Sequence, residues 1–443
     1  MSDFKVTLLG VTENPQTLSV AAALGCFEEK SSAQLMEELM KLPEEERLKK
    51  ERGVLKNSFG RGHGSVGDQV HFTFSIEDLP RVVTFELCLP EYLEHLQQSL
   101  RRAKASRGFY LPEVIKNSAL GKKTEVLMLK SFELYEKMVE KGIPGEDARF
   151  LLPLYTKTNI TTTGNARELC HMWQMSQRKG VPSIVRAVVD EMISLAKGKA
   201  PYLFEDYGFN YETLAWYPSA QLYSLRNPLI NDLLKSFKGD KRVTLIGHNA
   251  NFLRWGISIE KAVKERDETE LANLKHVHFE FFISLSLVCL HQAIRQRTWN
   301  HTLESIYDAV KSAKREKQTR IIIPPSIKKS EFNSAFQKQH QTMLNLYCEL
   351  VKGGISQEEA IGVMPHSLKI HTLIHVNGWN AINSIGKRTC LTAQWEIRAI
   401  ARKMAKIIKG VYPELGKFAE PQCITLGECP EVEDCYYKKK RRS

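Results

Sequence analysis

The sequence predicts an α+β protein made of two tandem copies of one unit, in which a mixed or antiparallel sheet carries several long helices. Two observations lead to this expectation. The chain of 443 residues repeats itself, and its predicted strands do not alternate one for one with helices, as they would in a doubly wound parallel sheet. With 42% hydrophobic and 26% charged residues, the chain has a globular composition, and each half can bury its own core.

The repeat is visible in matched residues along the two halves. An apolar run that ends in glycine, residues 6–10, returns at residues 243–247, and His-Phe-Thr-Phe at 71–74 returns as His-Phe-Glu-Phe at 278–281. Further on, Gly, Pro, Asn and Arg residues match at a constant offset of 212, as in Gly142 and Gly354, Pro153 and Pro365, Asn165 and Asn377, and Arg186 and Arg398. Helical periodicity alone does not produce such matches, so we infer a duplication.

The boundary between the copies is predicted in the polar, glycine-containing turn at residues 237–241. We therefore expect a first repeat at residues 1–237, a second at 238–420, and a cysteine-containing basic tail at 421–443. The first two strands are 65 residues apart in the first copy and 35 apart in the second, and Leu residues at helical spacing in 31–52 predict one or two surface helices in the extra stretch.

The remaining elements follow from local patterns. Residues 70–76 alternate apolar and polar side chains, as expected for a strand with one covered face. Helical patterns cover residues 125–141, 166–177 and 182–197, and the second copy repeats the last two at 378–388 and 392–409. Each unit is thus predicted as strand, helix and strand followed by several helices.

Charge and cysteine content restrict the environment and the partners. A formal charge of +12 favours anionic partners, either phosphorylated small molecules or nucleic acid, and part of it lies in the basic run 438–442, which we expect to be a solvated tail. Nine scattered cysteines predict reduced thiols. No apolar run is long enough for a membrane span, and residues 1–12 do not resemble a signal peptide, so a cytoplasmic protein is expected.

Candidate chemistry lies mainly in the second copy. Residues 292–297 read Gln-Ala-Ile-Arg-Gln-Arg, and the guanidinium groups of Arg295 and Arg297 could hold phosphate oxygens as planar forks of donors, although two exposed arginines on a helix would look the same. Ser305 follows. Later come Asn383, Arg388 and the pentapeptide Ala-Gln-Trp-Glu-Ile at 393–397.

These motifs, in this order, resemble the flavin-dependent thymidylate synthases. The first copy contributes Gly62-His63, the His-x-Phe-x-Phe strand at 71–74, Ala-Arg-x-x-Leu-Pro at 148–153 and Asn-x-Arg at 165–167. The second copy contributes residues 292–297, Ser305, Asn377, Asn383, Arg388 and the pentapeptide at 393–397. Cys429-Pro430-Glu431 adds to the resemblance.

The chain departs from the family pattern in both copies. Gln296 stands where the family's arginine run has a central histidine, and the first serine position is Asn300. An offset of 207 places Cys88 and Pro90 opposite Arg295 and Arg297, so the first copy lacks the run; the second lacks Arg149, which Ile361 replaces. The losses are complementary, which suggests one composite site supplied by both copies.

The resemblance implies reductive methylation of dUMP to dTMP, with FAD as cofactor and with NADPH and methylenetetrahydrofolate as co-substrates. It implies catalytic roles for Arg388, Arg297 and Ser305. His63, Arg295, Arg297 and Asn383 would bind the cofactor, and Gln292, Ser305, Arg149 and Arg388 the substrate. It also implies a homodimer of fused chains that reproduces the family's tetramer.

Two alternatives remain open. The chain could be a paralogue that binds flavin and a different pyrimidine nucleotide, or a non-catalytic descendant that binds nucleic acid. Cys423, Cys429 and Cys435 are spaced by six, which is not the spacing of known zinc knuckles, so no metal is expected.

Overall fold

The computed structural model describes residues 4–205, 218–237, 241–249, 256–316, 320–429, 431–432 and 435–436. The basic run 438–442, Pro430 and residues 238–240 of the expected repeat boundary lie outside these ranges.

The first half contains four strands and a larger number of helices. In chain order the elements are β1 (Lys5–Val11), α1 (Pro15–Leu24), α2 (Ser32–Lys41), α3 (Glu44–Asn57), β2 (His71–Pro80), α4 (Arg81–Leu87), β3 (Glu94–Gln97), α5 (Glu113–Lys116), α6 (Gly121–Glu140), α7 (Gly145–Ala148), β4 (Lys157–Asn165), α8 (Ala166–Ser176), α9 (Ser183–Lys197) and α10 (Pro228–Ser236). Short 3₁₀ turns lie at Phe59–Arg61, Gly64–Gln69, Arg149–Leu151 and Pro201–Phe204.

The second half repeats the order of the four strands, with fewer helices between the first two and an added helix at Ile306–Glu316. Its elements are β5 (Val243–His248), α11 (Ile259–Lys264), α12 (Glu268–Asn273), β6 (His278–Ser286), α13 (Leu287–Ala293), β7 (Asn300–Leu303), α14 (Ile306–Glu316), α15 (Pro325–Lys328), α16 (Asn333–Lys352), α17 (Gln357–Ala360), β8 (Lys369–Asn377), α18 (Gly378–Asn380), a π-helical turn at Ala381–Ile385, α19 (Gly386–Thr389), α20 (Trp395–Val411), α21 (Pro413–Gly416) and α22 (Gln422–Thr425). Leu274–His276 and Ile361–Val363 are 3₁₀ turns.

Two sheets with the same strand order confirm the predicted fold class. The first sheet has the order β1-β2-β4-β3 and the second β5-β6-β8-β7, and every pairing is antiparallel. The central strands carry the core: alternate residues of β2 such as Phe72 and Phe74 are fully buried, and Phe279 and Phe281 take the same places in β6. The protein is therefore α+β with two tandem units.

A β-bulge in β2 corrects one alignment made from the sequence. The register of β2 on β4 shifts between Ile76 and Leu79, and Asp78 adopts a left-handed φ of 54°, whereas β6 pairs with β8 without a shift. The bulge adds one residue to β2. Helix α4 starts at Arg81 and α13 at Leu287, an offset of 206 and not 207. Leu89 and Glu91, not Cys88 and Pro90, thus stand opposite Arg295 and Arg297.

Most predicted helices form near their expected bounds, with two differences. The stretch 31–52 contains α2 and α3, and Ser31 opens α2 with a capping box to Gln34. The expected helix at 378–388 is interrupted by the π turn, and α20 begins at Trp395 instead of residue 392. Gln394 sets that start, because its side-chain oxygen accepts from the amides of Glu396 and Ile397 at 2.9 and 3.2 Å.

The chain forms two compact units whose limits differ from those of the repeats. The first comprises residues 1–225 and 324–365, and the second residues 226–323 and 366–443. Inside the first unit α6 packs on α16, its counterpart in the repeat. Gln339 donates to the Leu127 carbonyl at 2.9 Å, and these residues are 212 apart, the repeat offset. Pro153 and Pro365, also 212 apart, form a β-bridge. Equivalent positions therefore meet, as across a two-fold axis. The division at 237 and 420 stays a prediction.

Among the described residues, no helix is both long enough and apolar enough to cross a membrane.

Candidate functional site

The Ala-Gln-Trp-Glu-Ile pentapeptide has a structural role in the second unit. Gln394 caps α20, and the Glu396 carboxylate, which is fully buried, accepts from the Ser286 amide at 3.0 Å and from its hydroxyl at 2.5 Å. The Arg242 guanidinium lies 5.7 Å from the centre of the Trp395 ring. Burial raises the pKa of Glu396, and the nearby Arg242 charge and the Ser286 hydrogen bonds oppose that shift. This motif fixes the start of α20 against the start of α13.

The π turn at Ala381–Ile385 carries Asn383, and Arg388 follows it in α19. The Ser384 hydroxyl donates to the Asn380 carbonyl at 3.1 Å, the acceptor that a regular helix would use for the Ser384 amide. Such competition favours a wider turn, and π turns occur often at functional sites. Asn383 and Arg388 are both half-buried.

The arginine run is fastened to this irregular helix by side-chain hydrogen bonds. It lies in the loop between α13 and β7, in which Arg295 is half-buried and Arg297 exposed. Asn380 donates to the Thr298 hydroxyl at 2.6 Å, and Trp299 donates to the Ser384 hydroxyl at 2.6 Å. The loop and the helix are thus joined by two side-chain hydrogen bonds and together form a platform.

Gln296 and Arg388 make the third connection. With the Gln296 amide oriented so that its oxygen faces Arg388, Oε1 accepts from Nε at 3.1 Å and from Nη2 at 2.6 Å. The two donors form one edge of the guanidinium fork, the edge that binds a carboxylate or phosphate bidentately. Gln296 therefore occupies that edge and orients Arg388 beside the arginine run.

Gln292 and Ser305 lie on either side of the loop. The Nε2 atom of Gln292 is buried and has no hydrogen-bond partner, so this donor is available to a polar ligand. Ser305 is fully buried, and its hydroxyl accepts from the Asp308 amide at 3.4 Å at the start of α14. The structure thus gives Ser305 a capping contact, and its predicted role in catalysis stays a prediction.

The two site residues predicted from the first copy lie in the first unit. His63 is exposed and follows Gly62, whose φ of 96° turns the chain. Gly64 packs closely against Arg167. A Cβ atom added to Gly64 would lie only 2.6 Å from Nε of Arg167. Arg149 is only 8% exposed, and its Nε donates to the Glu146 carbonyl at 3.1 Å. That these residues share one site with the second copy stays a prediction.

Sequence reasoning missed the residues that hold the platform together. Thr298, Trp299, Asn380 and Ser384 carry no motif, and their pairs are more than eighty positions apart in the chain. It also missed Arg81, which is 7% exposed. A charged residue inside the otherwise apolar stretch 79–83 is the signal that could have found it.

Comparison with known proteins identifies the family. The model of the family described as "Thymidylate synthase complementing protein" matches residues 7–202 and again 258–414. The chain belongs to the flavin-dependent thymidylate synthase family. Its two matched segments follow the two repeats, so the duplicated arrangement expected from the sequence agrees with the match.

Several relatives bear the name of this family. A flavin-dependent thymidylate synthase of Geobacter sulfurreducens is 33% identical over 209 residues, which cover 46% of this chain and 87% of that protein. One of Pyrococcus abyssi is 34% identical and covers 38% of this chain and 73% of that protein. Among solved structures, a UMP/dUMP methylase from Streptomyces cacaoi bound with 5-Br dUMP aligns with 47% of this chain and 95% of its own, at a TM-score of 0.41 and 19% identity.

The platform of this flavin-dependent thymidylate synthase family member fits an anionic, hydrogen-bonding ligand. It offers the guanidinium groups of Arg295, Arg297 and Arg388, the amide of Asn383 and the orphaned donor of Gln292. Phosphate and pyrimidine carbonyl oxygens are matching acceptors. The described residues contain no cluster of three or more His, Cys, Asp or Glu side chains able to hold a metal ion.

Proposed function

We propose that this chain converts dUMP to dTMP with FAD as cofactor, methylenetetrahydrofolate as carbon donor and NADPH as electron donor. The observation that carries the proposal is the platform in the second unit. Three connections, Gln296 to Arg388, Asn380 to Thr298 and Trp299 to Ser384, hold the arginine run against the irregular helix. Family membership supplies the reaction, and the platform supplies residues suited to its ligands.

In this proposal the chain's own residues bind and orient. Arg388 and Arg297 hold phosphate oxygens or polarise a uracil carbonyl by charge-assisted hydrogen bonds. Gln292 donates its free amide hydrogen to the base. Ser305 is proposed to bind the nucleotide and to take part in catalysis. Arg149 is proposed as a further phosphate ligand. Precise positioning lowers the activation free energy because the bound reactants have already lost their translational and rotational freedom.

Arg295, Arg297, Asn383 and His63 are the residues proposed to hold FAD. When bound, the flavin supplies hydride transfer, a chemistry that protein side chains do not provide. Arg295 and Arg297 suit the negatively charged diphosphate, and the Asn383 amide can both donate to and accept from a ring system.

The test is to purify the full chain, add FAD and measure dTMP by mass spectrometry with each component omitted in turn. We expect a yellow protein whose dTMP formation requires dUMP, methylenetetrahydrofolate and NADPH together. Oxidation of reduced flavin should depend on dUMP. A colourless chain that takes up no FAD would contradict the proposal, as would flavin binding with no dTMP formed under any condition.

One observation favours a second candidate, a flavin enzyme for a different pyrimidine nucleotide. Gln296, where the family has histidine, holds the bidentate edge of Arg388, so a substrate must either displace it or approach Arg388 differently. The same assay with UMP and dCMP in place of dUMP separates the candidates. Faster flavin oxidation with either nucleotide than with dUMP would favour this second reading.

A further inference from the structure

Two arginines of the first unit, Arg81 and Arg149, are buried, and no carboxylate of the described residues lies within ion-pair distance of either one. Arg81 is 7% exposed, and its Nε and Nη1 atoms have no hydrogen-bond partner. Arg149 is 8% exposed, and its Nε donates to the Glu146 carbonyl. The amides of Arg81 and Val82 donate to the carbonyls of Thr156 and Leu154 at 3.0 and 2.9 Å, so the start of α4 lies against the segment that follows Arg149. Burial and then the Arg149 charge lower the pKa of Arg81 to about 9. Removing two like charges from water side by side is unfavourable unless an anion joins them.

The second unit contains an arginine at similar depth that is paired. Arg320 is 3% exposed, and its Nη1 donates to both carboxylate oxygens of Glu304 at 3.0 Å. At this position the chain balances the charge of a buried arginine with a carboxylate. Arg81 lacks such a partner.

The acids nearest to Arg149 in the chain are engaged elsewhere. The Glu146 carboxylate pairs with Arg101 at 2.6 Å, and the Asp147 carboxylate accepts from the Ser326 hydroxyl at 2.5 Å. Burial lowers the pKa of Arg149 and the Arg101 charge adds to that shift, whereas the Glu146 and Asp147 charges oppose it. Because Glu146 pairs with Arg101 and Asp147 bonds to Ser326, neither of these carboxylates forms an ion pair with Arg149.

The repeat shows that the fold does not need these charges. Helix starts 206 apart place Leu287 at the position of Arg81, and the offset of 212 places Ile361 at that of Arg149. Both are fully buried apolar residues. One copy thus has two arginines where the other has two aliphatic side chains, which points to a joint function of the arginine pair.

We propose that Arg81 and Arg149 together form a buried anion site that holds the phosphoryl group of a small molecule. Two guanidinium groups can share the oxygens of a dianionic phosphate, and Arg81 is the additional ligand. The choice of a nucleoside monophosphate as that molecule rests on the proposed function, in which Arg149 binds the substrate. The anion site itself does not depend on turnover.

Calorimetric titration of the full chain with dUMP and with inorganic phosphate tests the site. Arg81→Leu, which introduces the residue of the second repeat, should weaken binding of both ligands about tenfold or more, because a charge-assisted contact is lost. Arg81→Lys keeps the charge and should restore part of the affinity. Lys130→Gln removes one exposed positive charge on α6 and should leave binding unchanged. Tighter binding of dUMP than of phosphate assigns the site to a nucleotide, and equal binding assigns it to free phosphate.

Thermal unfolding gives a second readout. Without phosphate, Arg81→Leu should melt at a higher temperature than the wild-type chain, because a buried unpaired charge has been removed. Phosphate should raise the melting temperature of the wild type more than that of the variant. Unchanged affinity for dUMP and phosphate in Arg81→Leu would overturn the proposal, and so would a wild type that binds neither. A chain that binds phosphate through Arg81 but forms no dTMP would retain this site and lose the proposed function.

Discussion

The helical segment that follows β4 in the first repeat differs from the one that follows β8 in the second. In the first, α8 (Ala166–Ser176) is a regular helix, whereas residues 378–389 are divided by the π turn. The segments have the same length, because α9 and α20 start at equivalent positions, residues 183 and 395. Ser384, whose hydroxyl bonds the Asn380 carbonyl, corresponds to the apolar Met172. One hydroxyl group thus accompanies the change of winding.

The two helices also differ in the polar residues that they carry. The irregular helix carries Asn383 and Arg388 and is fastened to the arginine run, while the regular helix has Ser176 at the position of Arg388. Ser176 is fully buried and donates to the Trp173 carbonyl at 2.7 Å. The second repeat thus contains the platform proposed to bind a ligand, and the first has a packed helix in its place.

The largest effect should come from Arg388. Arg388→Ala removes the proposed ligand of the nucleotide and leaves Gln296 without its partner. Losing two charge-assisted hydrogen bonds of about 2 kcal/mol each predicts a fall in kcat/KM of roughly a thousandfold. Steady-state dTMP formation measures it. Ser176→Ala is the matched control at the equivalent position and should leave kcat/KM within about twofold. If both variants lost activity equally, the two helices would not differ in function.

A second comparison concerns the junction between strand and helix. In the second repeat the Ser286 amide and hydroxyl donate to the buried Glu396 carboxylate. The first repeat has Pro80 at the end of β2 and Ile184 at the position of Glu396. Proline has no amide hydrogen, so no acceptor is required there. The second repeat thus pairs the buried amide at this junction with a carboxylate, and the first repeat has neither the amide hydrogen nor the carboxylate.

Replacing Glu396 alone should therefore lower the free energy of unfolding more than replacing both Ser286 and Glu396 by their counterparts in the first repeat. Glu396→Ile leaves the Ser286 amide buried and unpaired and should lower the free energy of unfolding by about 3 kcal/mol. Ser286→Pro added to it should recover most of that loss, since the φ of Ser286, −76°, suits proline. Chemical denaturation of the two single variants and the double variant gives the coupling. Additive losses would mean that the two junctions are not interchangeable solutions.

The sequence predicted the repeated strands because alternation and matched Gly, Pro and Asn residues are local signals. It could not predict the π turn, since Ser384 depends on Trp299, 85 positions away. The extra residue at Asp78 was invisible for a related reason: a bulge changes the register without changing the residue pattern nearby. The predicted Arg295, Arg297, Asn383 and Arg388 do lie on one loop and the helix fastened to it, whereas the pairing of Arg81 with Arg149 joins distant segments of the chain.

A third pair of equivalent residues differs in its cross-strand neighbours. His95 of β3 and His301 of β7 occupy equivalent positions, 206 apart. The His95 Nδ1 atom lies 3.1 Å from the Thr162 hydroxyl, and His301 stands opposite Ile374. Burial lowers the pKa of His301 to about 4. Because the folded chain then binds fewer protons than the unfolded chain, this stability is complete above pH 6.5 and is lost as the pH falls toward 4.

Ile374→Thr would give His301 the neighbour that His95 has. A hydroxyl that accepts from the imidazolium stabilises the charged form, so the pKa of His301 should rise and the loss of stability between pH 6.5 and 4 should shrink by about 1 kcal/mol. Ile374→Val, which alters shape without adding a hydroxyl, is the control. Thermal unfolding from pH 4 to pH 7 measures the slope, which separates this effect from the constant cost of a smaller side chain. Equal slopes in the Thr and Val variants would show that a hydroxyl at position 374 does not stabilise the charged form of His301.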